Sequence, residues 1–138
     1  MSQENVERFR EGIDALRRGD TEAIFDVVSE DVVWIPARSA VEGAYHGHAG
    51  LRRFLADTAE NFEVFELGFA EVRDLGDRVL AFGRFRIRAR GSGVDTDFPV
   101  AGIATYRDGK LVRWEDFRER RLALEAAGLS EQDAHADT

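Results

Sequence analysis

Residues 108–129 read DGKLVRWEDFRERRLALEAAGL and decide the fold of this chain. The pair Asp108-Gly109 is typical of a tight turn, and the alternation over 111–117 predicts a strand that follows it. The strand runs without a break into a helix, which Gly128 ends. This segment therefore predicts a hairpin whose second strand passes directly into a terminal helix.

One carboxylate stands out within this strand. Asp116 follows Trp114 by two residues, so both side chains project from the same face of the strand. If that face lines a cavity, Asp116 is the best candidate in the sequence for a catalytic carboxylate.

The residues before this segment predict a first region that is mainly helical and a second region of strands. Apolar spacing predicts helices from about residue 2 to Gly19, over a short segment capped by Asp20, and over about 48–61. A first strand at 32–35 ends before Pro36, which cannot donate a hydrogen bond to a sheet. A loop over 37–47 is expected between this strand and the third helix.

The second region is a run of four long strands at about 62–74, 77–91, 94–107 and 110–118. Short turns between consecutive strands predict an antiparallel meander. Its glycines and Pro99 are suited to bends or bulges. We therefore expect an α+β fold: a curved antiparallel sheet that forms a cone-shaped half-barrel, with the N-terminal helices on its concave side. Residues 1–129 form one domain, and the polar residues 130–138 are predicted to be a disordered tail.

Composition excludes several classes of protein. The 138 residues suit one domain, and 43% hydrophobic with 33% charged residues indicate a globular chain. No apolar run approaches the ~18 residues of a membrane span, and no signal segment is apparent, so a cytoplasmic protein is expected. The absence of cysteine excludes disulfides and thiolate chemistry. A net charge of −8 opposes nucleic-acid binding, and the clustered arginines are expected to be solvated and paired with acidic neighbours.

Three motifs in this order resemble the SnoaL-like branch of the NTF2-like superfamily. RGD at 18–20 with SEDVVW at 29–34 is similar to the family's opening pattern. GAYHGHAGLRRF at 43–54 is similar to its G-x-Y-x-G-x-x-G-l-x-x-F helix entry, and 109–129 matches its closing segment. The resemblance implies the cone fold but not a reaction, because the superfamily includes isomerases, hydrolases, cyclases, dehydratases and transport factors.

Two mechanisms known in the superfamily do not fit these residues. Ketosteroid isomerases pair an Asp base with a Tyr and a protonated Asp, and the corresponding positions here are Pro36, Gly12 and Gly102. In the limonene-epoxide-hydrolase arrangement, Asp116 matches one carboxylate and Arg84 the bridging arginine. Arg86 stands where the second carboxylate is needed, so that mechanism is incomplete.

The resemblance to SnoaL-like cyclases leaves a simpler mechanism open, in which one carboxylate removes an acidic proton. Asp116 is the proposed base, with His46 or His48 near the cone mouth as an acid. The alternatives are that both histidines are surface loop or capping residues, and that Asp116 forms a structural ion pair with a nearby arginine such as Arg84 or Arg113. A metal site of the two histidines and a carboxylate lacks any spacing signature, so no metal and no cofactor are expected.

Two hypotheses for the function follow. The first is a cofactor-independent lyase, isomerase, cyclase or hydrolase that acts on a small hydrophobic metabolite. The second is a non-catalytic small-molecule-binding or dimerisation module. The expected ligand-binding residues are Trp34, Tyr45, Arg84, Phe98, Tyr106 and Trp114. Strand alternation leaves open whether Arg84 and Arg86 face the cavity or the exterior. A homodimer is expected because the uncovered sheet face is predicted to carry apolar residues.

Overall fold

A computed structural model of the chain describes residues 2–36 and 43–129. The predicted tail at 130–138 and most of the predicted loop lie outside these ranges. The helices are α1 (Ser2–Arg18), α2 (Thr21–Val27), α3 (Gly47–Asn61) and α4 (Arg120–Ala126). The strands are β1 (Val28–Ile35), β2 (Tyr45–His46), β3 (Phe62–Asp74), β4 (Arg78–Ala89), β5 (Thr96–Arg107) and β6 (Lys110–Phe117). None of the described helices is both long and apolar enough to cross a membrane.

The six strands form one curved, open sheet in the order β2-β1-β6-β5-β4-β3. The meander from β3 to β6 is antiparallel, which confirms the prediction from its turns. The sheet as a whole is mixed, because β1 lies parallel to β6. β1 also begins at Val28, earlier than predicted, since α2 ends at Val27 and the chain becomes extended at once.

The turn between β5 and β6 shows why its sequence is so restrictive. Asp108 and Gly109 have φ angles of 52° and 78°, the left-handed region that Asp tolerates and Gly adopts freely. This turn sets the register in which Trp114 lies opposite Ala104 and Asp116 opposite Gly102. The closing strand is thereby placed with the Trp114 face toward the helices.

The three N-terminal helices pack on the concave face, as predicted. α1 contributes Val6 and Phe9, and α3 contributes Leu51 and Phe54, to a core that includes Trp114. Asp20 caps α2, because its Oδ1 accepts a hydrogen bond from the Ala23 amide at 3.1 Å. The first helix, the second helix and the sheet thus enclose the space in which a ligand could bind.

α4 covers part of the opposite, convex face. Its Leu124 packs in a second apolar cluster with Leu80, Phe82 and Ile103, which point away from the first core. The largest exposed apolar side chains in the described ranges are only Val94 and Leu122. The apolar sheet face on which the homodimer prediction relied is therefore already covered by the chain's own terminal helix.

The rest of the convex face is charged. Arg84 bonds to Asp97 at 2.6 Å, Arg88 bonds to Asp95 at 2.6 Å, and Arg86 bonds to Glu66. These side chains form cross-strand ion pairs over β3, β4 and β5, a set that we call the ion-pair ladder. The structure therefore places Arg84 and Arg86 on the exterior.

Candidate functional site

A small apolar cavity, the inner cavity, lies between the first two helices and the sheet. It has a volume of about 60 Å³, and its lining includes Phe9, Ile13, Trp34, Tyr106 and Trp114. A liquid water occupies about 30 Å³, so this space holds at most a few waters and not a ligand on its own.

The wall of the inner cavity is aromatic. The Trp114 ring is 5.9 Å from the Trp34 ring, 5.7 Å from Phe9 and 5.7 Å from Phe69, measured between centroids. Trp114 is only 3% exposed. These separations are typical of favourable aromatic pairs, so Phe9, Trp34 and Trp114 form a packed group of rings beside an aliphatic lining that includes Ile13 and Leu111.

Trp34 and Tyr106 contribute polar groups to this wall, whose lining also includes Arg8. The Trp34 indole Nε1 is buried, and no acceptor within the described ranges bonds to it. Tyr106 is also buried, and burial raises the pKa of its hydroxyl above the ordinary value, an effect that the nearby Arg8 partly opposes. The Tyr106 phenol is thus neutral at physiological pH and remains able to donate a hydrogen bond.

A larger opening, the mouth, adjoins the inner cavity. The mouth has a volume of about 400 Å³ and is formed by the end of α1, the start of α2, α3 and β3, with Arg90 at its edge. Leu16, Ile24 and Leu67 line both spaces. We call the mouth and the smaller inner cavity next to it, with its two tryptophans, the funnel.

Asp116 faces the inner side of the sheet, as the spacing from Trp114 predicts. Its Oδ1 accepts a hydrogen bond from the Trp114 indole Nε1 at 2.8 Å, and the residue is half-buried. Two of the arginines considered as its ion-pair partners bond elsewhere, Arg84 to Asp97 and Arg113 to Glu115. Asp116 lines neither of the two spaces of the funnel.

The two histidines do not join Asp116. His46 pairs with Val33, on the sheet face opposite Trp34, and is exposed. His48 Nε2 donates to the Val28 carbonyl at 2.9 Å, which requires the proton on Nε2 because a carbonyl can only accept. Val28 pairs with Leu111, so His48 lies at the other end of β6, roughly 16 Å of strand from Asp116.

The six predicted ligand-binding residues do not form one site. Trp34, Tyr106 and Trp114 line the inner cavity. Tyr45 is buried against Phe54, with ring centroids 5.3 Å apart, while Phe98 packs on Phe85. Arg84 lies on the convex face, away from the funnel.

No group of three or more His, Asp or Glu side chains suited to a metal ion occurs among the residues that the structure describes. The Gly102 position, where ketosteroid isomerases carry a second Asp, is covered by the Trp114 ring. A Cβ atom there would lie 2.2 Å from the ring. The arrangement therefore offers hydrogen-bond donors and an apolar surface, with a single carboxylate nearby.

The residues of the mouth were not identified from the sequence. They come from three separate stretches of the chain, and their types are ordinary for the surfaces of helices and strands. Arg17 and Arg90 in particular resemble any solvated arginine at the end of an element. Only the closure of the helices over β3 brings these side chains together.

Comparison with known proteins agrees with this architecture. A structure of TerC co-crystallised with polyporic acid has 27% identity and a TM-score of 0.75, over 91% of this chain and 98% of that chain. An NTF2-like protein from Burkholderia xenovorans has 26% identity and a TM-score of 0.72, over 92% and 97%.

An NTF2-like protein of unknown function from Burkholderia pseudomallei shares the fold, with 23% identity and a TM-score of 0.77 over 95% of this chain and 99% of that chain. No curated protein matches this chain. The family model for the SnoaL-like domain matches residues 6–114, which include most of α1, all of α2 and α3, the aromatic residues of the inner cavity and most of the meander. This chain belongs to the SnoaL-like domain family.

Proposed function

We propose that this protein binds a small apolar molecule in the funnel. The observation that carries the proposal is that the mouth lies next to the inner cavity with its two tryptophans and shares Leu16, Ile24 and Leu67 with it. A mouth of about 400 Å³ is within the range of small-molecule sites, roughly 300–1,000 Å³. The ligand body lies in the mouth and its tip reaches toward the tryptophans.

The buried Trp34 Nε1 supports this proposal. A buried donor without an acceptor costs about 1–3 kcal/mol, and such groups are rare in folded proteins. A carbonyl or hydroxyl oxygen on the ligand would satisfy this donor. The crystal structure of TerC with polyporic acid gives a second line of support, because that similar protein also takes a small molecule.

Acid–base catalysis on the bound molecule is the second candidate function. It is favoured by the inward direction of Asp116 and by its hydrogen bond to Trp114, whose ring lines the inner cavity. Asp116 lines neither space of the funnel, so in this function the ligand would extend past the Trp114 ring to Asp116, which would take a proton from a ligand carbon next to a carbonyl without a cofactor. A lyase, isomerase, cyclase or hydrolase step starts from such a proton transfer or from activation of a water.

A blocking substitution tests ligand binding in the mouth. N-phenyl-1-naphthylamine is a neutral dye that brightens in apolar surroundings, and we expect it to bind the wild-type protein saturably. Thr58→Trp places a large ring in the mouth and should weaken this binding at least about tenfold.

Ala56→Trp is the matched control, because Ala56 is on the same helix but is exposed and does not line the mouth. It should leave dye binding unchanged. Equal effects of the two substitutions, or no saturable binding to the wild type, would reject the funnel as a binding site. Thermal unfolding of each variant verifies that the fold is kept.

A further inference from the structure

The rim of the mouth carries arginines without carboxylate partners. Most arginines with assigned contacts bond to Asp or Glu, as on the convex face. Arg17 instead donates its Nε to the Leu67 carbonyl at 3.3 Å, and Arg90 donates to the Ala59 carbonyl at 2.8 Å. A carbonyl accepts a hydrogen bond but does not neutralise the charge. Within the described ranges, neither guanidinium has an ion-pair partner.

Arg17 is the better placed of the two. Arg17 is exposed and lines the mouth, and its hydrogen-bond partner Leu67 lines both the mouth and the inner cavity, so the guanidinium lies on the solvent side of the mouth beside a residue that the two spaces share. Its bond to Leu67 uses Nε, and no bond within the described ranges uses its terminal nitrogens. These are the N–H groups that bind a carboxylate with two parallel hydrogen bonds.

The neighbouring backbone leaves room for this guanidinium. Gly68 has no side chain, and a Cβ atom at that position would lie 3.0 Å from Arg17 Nη2. Gly68 therefore lets the guanidinium lie close to β3 while its base bonds to Leu67. An alanine there would crowd the end of the Arg17 side chain, which would need to shift by only a few tenths of an ångström.

The charge on the rim is unusual for this molecule. The chain has a net charge of −8, so its overall field repels anions. The one acidic residue of the mouth, Glu63, lies 3.9 Å from Arg88 on the convex side. An apolar mouth with Arg17 and Arg90 at its rim is complementary to a molecule that has an apolar body and one negative group.

We propose that the ligand of the funnel is an organic anion, a carboxylate, sulfonate or acidic phenolate on an apolar ring system, and that Arg17 binds its charged group. This inference rests on the proposed ligand binding. The ligand class is thus an apolar molecule with one negative group. Arg90, at the outer edge of the mouth, adds long-range electrostatic attraction for that group. Neutral molecules of the same shape are expected to bind with lower affinity, because they do not form an ion pair with Arg17.

Two dyes with the same ring skeleton test the inference. 1-Anilinonaphthalene-8-sulfonate carries one negative charge, and N-phenyl-1-naphthylamine carries none. Arg17→Gln should weaken binding of the sulfonate roughly tenfold and change binding of the neutral dye less than about twofold. Raising the salt concentration should weaken sulfonate binding to the wild type more than to the variant.

Arg10→Gln is the control, since Arg10 is exposed on α1, does not line the mouth, and gives the same change in net charge. It should leave both dyes unaffected.

The outcomes separate the two proposals. Equal losses for both dyes in Arg17→Gln would show that Arg17 only stabilises the position of β3. Unchanged sulfonate binding in this variant would show that Arg17 does not bind the charged group. Either result overturns the inference but leaves the proposed ligand binding intact. If the wild type binds neither dye, the proposed ligand binding itself is rejected, and the inference with it.

Discussion

At the scale of single residues, Asp116 is the candidate catalytic carboxylate that the sequence predicts. The carboxylate faces the helices because it shares a strand face with Trp114, and the indole of Trp114 holds it with a 2.8 Å hydrogen bond. That bond orients Asp116 without adding a charge. The bond fixes the direction of the carboxylate relative to the aromatic rings.

The substitution Asp116→Asn tests this role. Asparagine keeps an acceptor for Trp114 but cannot take up a proton, so we expect the unfolding temperature to change by only a few degrees. If Asp116 is the base, aryl ketones that displace the neutral dye should exchange their α-protons in D₂O. The variant should then lose exchange about 10²–10⁴-fold, measured by NMR.

Glu115→Gln is the control for this experiment, because Glu115 is the adjacent carboxylate and faces the convex side with Arg113. It should exchange protons at the wild-type rate. Equal exchange by wild type and Asp116→Asn would assign Asp116 a structural role. Loss of the folded state in Asp116→Asn would indicate the same.

The histidines show what residue spacing could not predict. His46 and His48 flank Gly47 in the sequence, and both were candidates for an acid beside Asp116. The register of β2 against β1 turns His46 to the convex side, and the start of α3 directs His48 to Val28. Side-chain direction at such a junction depends on tertiary pairing, which one sequence does not reveal.

At the scale of elements, the meander was predictable and the position of α4 was not. Each strand boundary has its own turn residues, so the four strands were predicted within a few residues of their observed ends. β4, however, is apolar on both faces, with Val79 and Ala81 on one side and Leu80 and Phe82 on the other. That pattern does not tell which face the terminal helix covers.

A charged network fastens α4 to the convex face. Arg73, which is 7% exposed, bonds to Glu71 at 3.0 Å, and Arg120 of α4 bonds to the same carboxylate at 3.3 Å. The Arg120 guanidinium also lies 3.8 Å from the centroid of the Phe82 ring. Partial burial raises the pKa of Glu71, but the hydrogen bonds and charges of the two arginines outweigh it and lower that pKa below 4.5.

This network predicts a pH-dependent stability. A carboxyl whose pKa is lowered by folding stabilises the protein above its unfolded pKa, and that contribution is lost as the pH falls through the folded value. At pH 7 we expect Glu71→Gln to lower the free energy of unfolding by about 1–2 kcal/mol, allowing for the partial exposure of Glu71. This difference should shrink as the pH falls from about 5 to 3.

Urea unfolding at several pH values measures the effect. Glu125→Gln is the control, since Glu125 lies on α4 and forms an exposed pair with Arg121. Its cost should be at most about 0.5 kcal/mol. A cost for Glu71→Gln that is independent of pH would mean that the charge of Glu71 does not hold α4.

At the scale of the whole molecule, the proposed ligand site and the proposed dimer surface lie on opposite faces of the sheet. The funnel was not predictable because its lining joins residues near 16–24, 54–67 and 90, which meet only when the helices close over β3. The convex face was expected to be apolar, but it presents α4 and the ion-pair ladder. A dimer interface on the convex face would therefore depend on charged contacts rather than on burial of apolar surface.

The ion-pair ladder still allows the homodimer that we propose. In a two-fold dimer the same patch meets itself, so a patch with both signs of charge can place its arginines against acids of the second copy. The ladder has this mixed composition, with Arg84, Arg86 and Arg88 among Glu66 and Asp97. Exposed ion pairs contribute little each and are screened by salt.

We therefore expect a dimer at about 20 µM protein in 50 mM salt that dissociates in 1 M salt, measured by sedimentation velocity. Arg86→Glu should shift the low-salt equilibrium toward monomer, because it places like charges beside Glu66 and Asp95. Arg121→Glu, on the exposed side of α4, should not. A dimer that persists in 1 M salt would indicate an apolar interface elsewhere, since salt does not weaken apolar contacts. A monomer under both conditions would reject the dimer and leave the funnel as the only site at which this molecule is proposed to act.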